Sequence, residues 1–73
     1  MSDLRIGATV TPALFSLLAR DALAIDFIKI DSDLGLETVR QALAYRPVFL
    51  HDVSNEFWLN YRDPFAGAPL AEV

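Results

Sequence analysis

Short apolar runs alternate with longer amphipathic stretches over the first two thirds of the chain. The runs at 5–10, 25–31 and 48–53 are rich in β-branched and other apolar residues, which is typical of strands. Between them, apolar residues recur at helical spacing, and this period predicts helices over about 12–21 and 34–45. The order strand, helix, strand, helix, strand indicates two βαβ units.

Residues at the predicted helix boundaries agree with these limits. Thr11 is a candidate N-cap for the first helix, and Pro12 suits its first position. Ser32 and Asp33 are cap candidates for the second helix. Pro47 ends that helix, because the residue before a proline avoids the helical region.

The two faces of the predicted sheet differ in composition. Crossovers between parallel strands are right-handed in nearly all proteins, so both helices are expected to cover one face. One set of alternating strand positions is entirely apolar and is predicted to face the helices. This set is Ile6, Ala8, Val10, Ile28, Ile30, Val48 and Leu50.

The opposite set of strand positions is apolar near the strand starts and polar near the strand ends. Its members are Gly7, Thr9, Phe27, Lys29, Asp31, Phe49, His51 and Val53. A parallel sheet buried on both sides is apolar on both faces, so this gradient indicates the lumen of a barrel. A site is expected at the carboxyl ends of the strands, where Lys29, Asp31 and His51 would meet.

The segment after the third strand has a different pattern. Phe57, Trp58 and Tyr61 recur at helical spacing within 54–63, which predicts a short helix or a structured loop. Residues 70–73 resemble the opening of another helix that is not completed.

The fold expected from these patterns is α/β. It has a βαβαβ parallel three-stranded sheet, two helices on one face and an aromatic-rich helical or loop tail, as in the first third of a TIM barrel. Residues 1–73 would form one partial barrel domain that is incomplete at its C-terminus. If the three strands and two helices were the whole fold, one sheet face and both sheet edges would lie open to solvent.

Composition narrows the classes of function. The chain has no cysteine, which excludes disulfides and thiolate metal sites and suits a cytoplasmic protein. A net charge of −4 and six scattered basic residues argue against a nucleic-acid partner. The sequence has neither a signal-peptide pattern nor the roughly 20 apolar residues of a membrane helix. Neither nucleic acid nor a membrane is therefore expected as a partner.

Three segments, RIGATV, DFIKID and RPVFLHDVSNEFWLN, resemble the first βα units of the xylose-isomerase-like TIM barrels. The resemblance covers about residues 4–63 and is best with the sugar phosphate isomerases and epimerases. Several members of this superfamily carry a metal-binding histidine at the strand end that matches His51. The resemblance therefore implies that His51 binds Mn²⁺, Co²⁺, Zn²⁺ or Mg²⁺ in a complete barrel. The other metal ligands of these enzymes lie on later strands that this sequence does not contain.

The resemblance also implies metal-dependent isomerisation or epimerisation of a sugar or sugar phosphate, with this chain inactive on its own. Asp31 and Lys29 are candidate catalytic residues, because moving a proton beside a carbonyl needs a base and a stabilising cation. The alternative is a plain ion pair between them. Trp58 and Tyr61 are candidate substrate-binding residues, and covering exposed sheet is their alternative role. The alternative for His51 is a half-buried histidine bonded to backbone.

Two other functions stay open at this stage. The chain could be a small self-associating interaction module without catalysis, forming a homo-oligomer through its uncovered sheet face. It could also belong to a barrel of the endonuclease IV-like or multinuclear iron oxidase-like type, which the same superfamily includes.

Overall fold

A computed structural model of the chain describes residues 4–31, 36–51, 56–59 and 62–73. These residues form two helices and five strands. In chain order they are β1 (Arg5–Thr9), α1 (Pro12–Ala19), β2 (Phe27–Asp31), α2 (Leu36–Tyr45), β3 (Val48–His51), β4 (Glu56–Trp58) and β5 (Leu70–Glu72).

The strands form one mixed sheet in the order β4-β3-β2-β1-β5. β1 pairs in parallel with both β2 and β5, and β2 pairs in parallel with β3. β4 runs antiparallel to β3. The expectation of a parallel three-stranded sheet, the first third of a TIM barrel, is therefore wrong: the domain is a small mixed α/β fold with five strands.

The three central strands nevertheless pair in parallel as their alternation with helices predicted. Their register places Gly7 beside Phe27, and Asp31 beside His51. Residues that are directly paired across parallel strands point to the same face of the sheet. The polar ends of β2 and β3 are thereby brought to one edge of that face.

Both helices pack on the predicted apolar face. Ile28, Ile30 and Val48 are fully buried there, and burying a side chain of this size stabilises a fold by about 1.5–3 kcal/mol. They share one core cluster with buried helix residues, which are Leu14, Leu18 and Ala42. The assignment of this face to the helices is confirmed.

The helix boundaries follow from local chemistry. The Thr11 hydroxyl accepts a hydrogen bond from the backbone N–H of Leu14 at 3.1 Å, and Pro12 occupies the first turn. The second helix ends at Tyr45, before the Arg46-Pro47 pair. The cap candidates Ser32 and Asp33 lie outside the described residues.

The tail forms edge strands where a helix or loop was expected. β4 pairs with the outer edge of β3, and β5 pairs with the outer edge of β1. The backbone N–H of Arg5 donates to Pro69 O and that of Val73 donates to Gly7 O, each at 2.9 Å. A helical start of three or four residues is marginal alone, whereas a bare sheet edge offers backbone partners at once.

A turn between β4 and β5 brings the chain back under the sheet. The Asp63 carboxylate accepts hydrogen bonds from the backbone N–H groups of Phe65 and Gly67, at 2.9 and 2.6 Å. Gly67 has a φ of 78°, a backbone conformation that glycine adopts without strain. The turn thereby presents Phe65 to the sheet face opposite the helices.

Candidate functional site

Four aromatic rings cover the sheet face opposite the helices, which we call the aromatic face. Phe27 lies at the centre of the group and is 2% exposed. Its ring centroid is 5.5 Å from that of Trp58 and 6.3 Å from those of Phe49 and Phe65. The rings meet edge to face or tilted, which are the preferred arrangements of aromatic pairs. They form an apolar floor beneath the polar strand ends.

A polar network lies above this floor, at the carboxyl ends of β1 and β2. The Lys29 ammonium is 3.0 Å from Glu72 Oε2 and 3.7 Å from Asp31 Oδ1. The Thr9 hydroxyl donates to the other carboxylate oxygen of Glu72. Both oxygens of Glu72 are thus occupied, and the residue ties β5 to β1 and β2.

The network shifts the pKa values of its two central groups. The hydrogen bond to Glu72 raises the pKa of Lys29 above its usual 10.5. The pKa of Glu72 is lowered from its usual 4.5, first by the Thr9 hydrogen bond and then by that of Lys29. Both groups are therefore charged at neutral pH.

A histidine–carboxylate pair lies beside this network. His51 ends β3, and Glu56 begins β4 directly opposite it in the register. His51 Nδ1 is 2.8 Å from Glu56 Oε1. With a neutral ring, the Nδ1–H group donates to the carboxylate and Nε2 is left as an acceptor. The pair has the arrangement of a general base whose tautomer is fixed by a carboxylate.

One pocket of about 210 Å³ connects the floor, the network and the pair. Phe27 and Phe49 line its base. Four charged or titratable side chains line its sides, which are Lys29, His51, Glu56 and Glu72. It is smaller than the roughly 300–1,000 Å³ of typical ligand sites, so it suits a compact ligand.

The structure brings some of the sequence-predicted site residues together. Lys29 and His51 line the same pocket, and Asp31 pairs with Lys29 as the simpler alternative expected. Trp58 contributes to the aromatic floor and covers the sheet rather than lining the pocket. Tyr61 lies outside the described residues. The proposed roles of these residues stay predictions.

The sequence pattern did not identify two of the pocket residues, Glu56 and Glu72. Both belong to three-residue strands in segments that were expected to be helical or irregular. One signal was present in the sequence. Thr9 and Lys29 were predicted on a face where Asp31 was the one carboxylate, and such groups need an acceptor when partly buried.

The described residues do not form a metal site. Over 4–31, 36–51, 56–59 and 62–73, no three histidine, aspartate or glutamate side chains are placed to hold one ion. His51 and Glu56 are paired with each other, and Asp31 and Glu72 are paired with Lys29. The metal-ligand role of His51 thus stays a prediction.

A scan against protein-family models and searches of curated proteins and solved structures find nothing that matches the chain significantly. The resemblance to xylose-isomerase-like enzymes therefore stays a prediction from the sequence. In the parts of the chain that the structure describes, neither helix has the length and apolarity that crossing a membrane requires.

Proposed function

We propose that the pocket on the aromatic face binds a small sugar or sugar phosphate and transfers a proton beside its carbonyl group, as isomerases and epimerases do. One observation carries this proposal. The His51–Glu56 pair and the Lys29 ammonium line the same pocket, above the apolar rings of Phe27 and Phe49. Ring faces suit the C–H face of a sugar, and the charged groups suit its hydroxyls.

The His51–Glu56 pair supplies the base. Nε2 of neutral His51 takes the proton from the carbon next to the carbonyl. The C–H electron pair becomes the C=C bond of the enolate, and the π pair of the carbonyl moves to its oxygen. The Glu56 carboxylate stabilises the imidazolium that forms. Delivery of a proton from water to the opposite face of that carbon gives the epimer, and the imidazolium of His51 then gives its proton to water. Return of the proton from His51 to the carbonyl carbon, with the hydroxyl proton passing between the two oxygens, gives the isomer.

Lys29 supplies the positive charge at the developing enolate oxygen. A fixed cation near an oxyanion stabilises the transition state more than the neutral ground state. Glu72 and Asp31 hold the ammonium in place, at 3.0 and 3.7 Å. Asp31 is therefore a positioning residue, since its described contact is with Lys29.

Proton exchange in heavy water tests the proposal directly. The purified chain is incubated with aldoses and ketoses, and loss of the carbonyl-adjacent proton signal is followed by NMR. We expect measurable exchange, slow because the pocket is open to water, that falls at least ten-fold in His51→Gln. Binding is followed in parallel by the fluorescence of Trp58, whose ring packs on Phe27 and Phe49.

The matched control for this experiment is Glu37→Gln, a change at an exposed carboxylate on α2. Exchange that is equal in His51→Gln and Glu37→Gln would contradict the acid–base role. No binding of any sugar would contradict the proposal as a whole. The expectation that the chain alone is inactive is decided by the same measurement.

A second candidate function is self-association without catalysis, which the uncovered strand edges favour. In the described part of the chain, β4 and β5 end the sheet with one free edge each. Leu70 on β5 is 39% exposed, and Val73 just beyond β5 is 74% exposed. Sedimentation velocity separates the two functions, because a binding pocket within one chain needs no second copy.

A cytoplasmic location stays a prediction from the cysteine-free composition.

A further inference from the structure

We infer that the pocket selects uncharged sugars over sugar phosphates. This inference rests on the proposed function and narrows its ligand class. It follows from the sign of the charges around the pocket, from the contacts that occupy its one lysine, and from its small size.

The rim of the pocket is negative. Glu56 and Glu72 line it, and Asp31 lies beside Lys29 at the same strand end. Lys29 is the one permanent cation, so three carboxylates outnumber it. The rim stays negative even when His51 is protonated. A phosphate dianion is therefore repelled at close range.

No other basic side chain supplies the missing positive charge. All five arginines lie in the described parts of the chain, and none lines the pocket. Arg5, for example, lies over the ring of Phe65, 5.3 Å from its centroid. Residues 1–3, 32–35, 52–55 and 60–61 contain no lysine or arginine. The sequence thus holds no basic residue that a phosphate could recruit from those segments.

Lys29 is already paired with a carboxylate, so binding a phosphate would weaken an existing ion pair. Its ammonium is 3.0 Å from Glu72, whose second carboxylate oxygen accepts from Thr9. A phosphate must either share the ammonium with Glu72 and Asp31 or displace Glu72, and in both cases it lies next to a carboxylate. A neutral hydroxyl can instead donate to Glu56 or Glu72 without breaking the Lys29–Glu72 pair.

The floor and the volume favour a bare sugar ring. About 210 Å³ above Phe27 and Phe49 suits a ring and its hydroxyls. The ligand class inferred is thus a neutral pentose or hexose in ring or open-chain form, with its C–H face on the aromatic floor.

The test compares each free sugar with its own phosphate. Glucose, fructose and their 6-phosphates are titrated into the chain at pH 7, with Trp58 fluorescence and backbone amide shifts as readouts. We expect the free sugar to bind on the order of ten-fold more tightly than its phosphate at low salt, and this difference in affinity should narrow as salt screens the rim. In Glu56→Gln the difference in affinity should be smaller even at low salt, and in Glu37→Gln it should stay as in the wild type.

The possible outcomes separate the two proposals. A phosphate that binds as tightly as its free sugar overturns the inference and leaves the proposed function intact. A gap that is insensitive to both salt and Glu56→Gln overturns the electrostatic basis of the selection. Failure of every free sugar and every phosphate to bind overturns the proposed function, and the inference with it.

Discussion

Gly7 lies against the aromatic face with no room for a side chain. A Cβ atom built on Gly7 would lie 2.2 Å from Cε2 of Phe27, far inside van der Waals contact. The Phe27 ring cannot swing away, because it is 2% exposed and packed against three other rings. The close approach of the β1 backbone to this ring therefore requires glycine.

We predict that Gly7→Ala lowers the free energy of unfolding by about 1–3 kcal/mol, the usual effect of overpacking a well-packed site. Urea unfolding followed by Trp58 fluorescence measures this change. The matched control is the double mutant with Phe27→Leu, in which the shorter side chain removes the ring atoms that clash. A loss from Gly7→Ala that is as large in the Phe27→Leu background would show that the ring is not the cause.

Single residues of the candidate site could be predicted only where a strand was already recognisable. Alternation along β2 and β3 was enough to place Lys29 and His51 on one face, and the structure puts both in one pocket. Glu56 and Glu72 were not identified as site residues, because strands of three residues have almost no periodicity of their own. The position of Glu72 also depends on pairing with Gly7, near the other end of the chain, which local patterns do not encode.

At the scale of secondary-structure elements, the same distinction separates the core from the tail. Both helices and the three central strands have strong periods, and boundary signals such as the start at Thr11 and the stop at Pro47 allowed sequence reasoning to find them. β4 and β5 form because the edges of β3 and β1 have unpaired backbone groups. For Phe57 and Trp58, which lie in β4, the helical spacing was therefore a misleading signal, overridden by tertiary hydrogen bonding.

We predict that acid weakens the attachment of β5. The folded-state pKa of Glu72 is lowered below 4.5, so its stabilising contribution is complete above that value and is lost as the pH falls through the lowered pKa. Glu72→Gln should therefore have a lower melting temperature than the wild type at pH 7. The difference should shrink toward pH 3, as the wild-type carboxylate is protonated.

The control for this pH dependence is Glu37→Gln, whose carboxylate pairs with Arg40 on the exposed face of α2. Exposed pairs of this kind contribute little, so its melting temperature should follow the wild type across the range. A difference in melting temperature between Glu72→Gln and wild type that does not depend on pH would contradict the role given to the ionised carboxylate.

The raised pKa of Lys29 adds a second loss of stability on the alkaline side, above pH 10.5.

At the scale of the whole molecule, the sheet edges and the net charge act against each other. Free edges and exposed apolar side chains near β5 favour pairing with a second copy. The first position of β4 and the last of β5 are glutamates, however, and the chain carries a net charge of −4 at pH 7. Like charges on approaching edges oppose the pairing of two copies, as charged edge residues do in natural sheets.

We therefore predict a monomer at pH 7 that associates as the pH approaches the isoelectric point near 4.6. The monomer should have a radius of gyration close to the 11.8 Å of its Cα atoms, against about 11 Å expected for a compact chain of this length. Sedimentation velocity and small-angle scattering at pH 7 and pH 5 check both values. Added salt at pH 7 should promote association by screening the same repulsion. A discrete dimer at pH 7 and low salt would show that pairing at the free strand edges outweighs the repulsion between negative charges. That result would favour the self-associating module over a sugar-binding monomer.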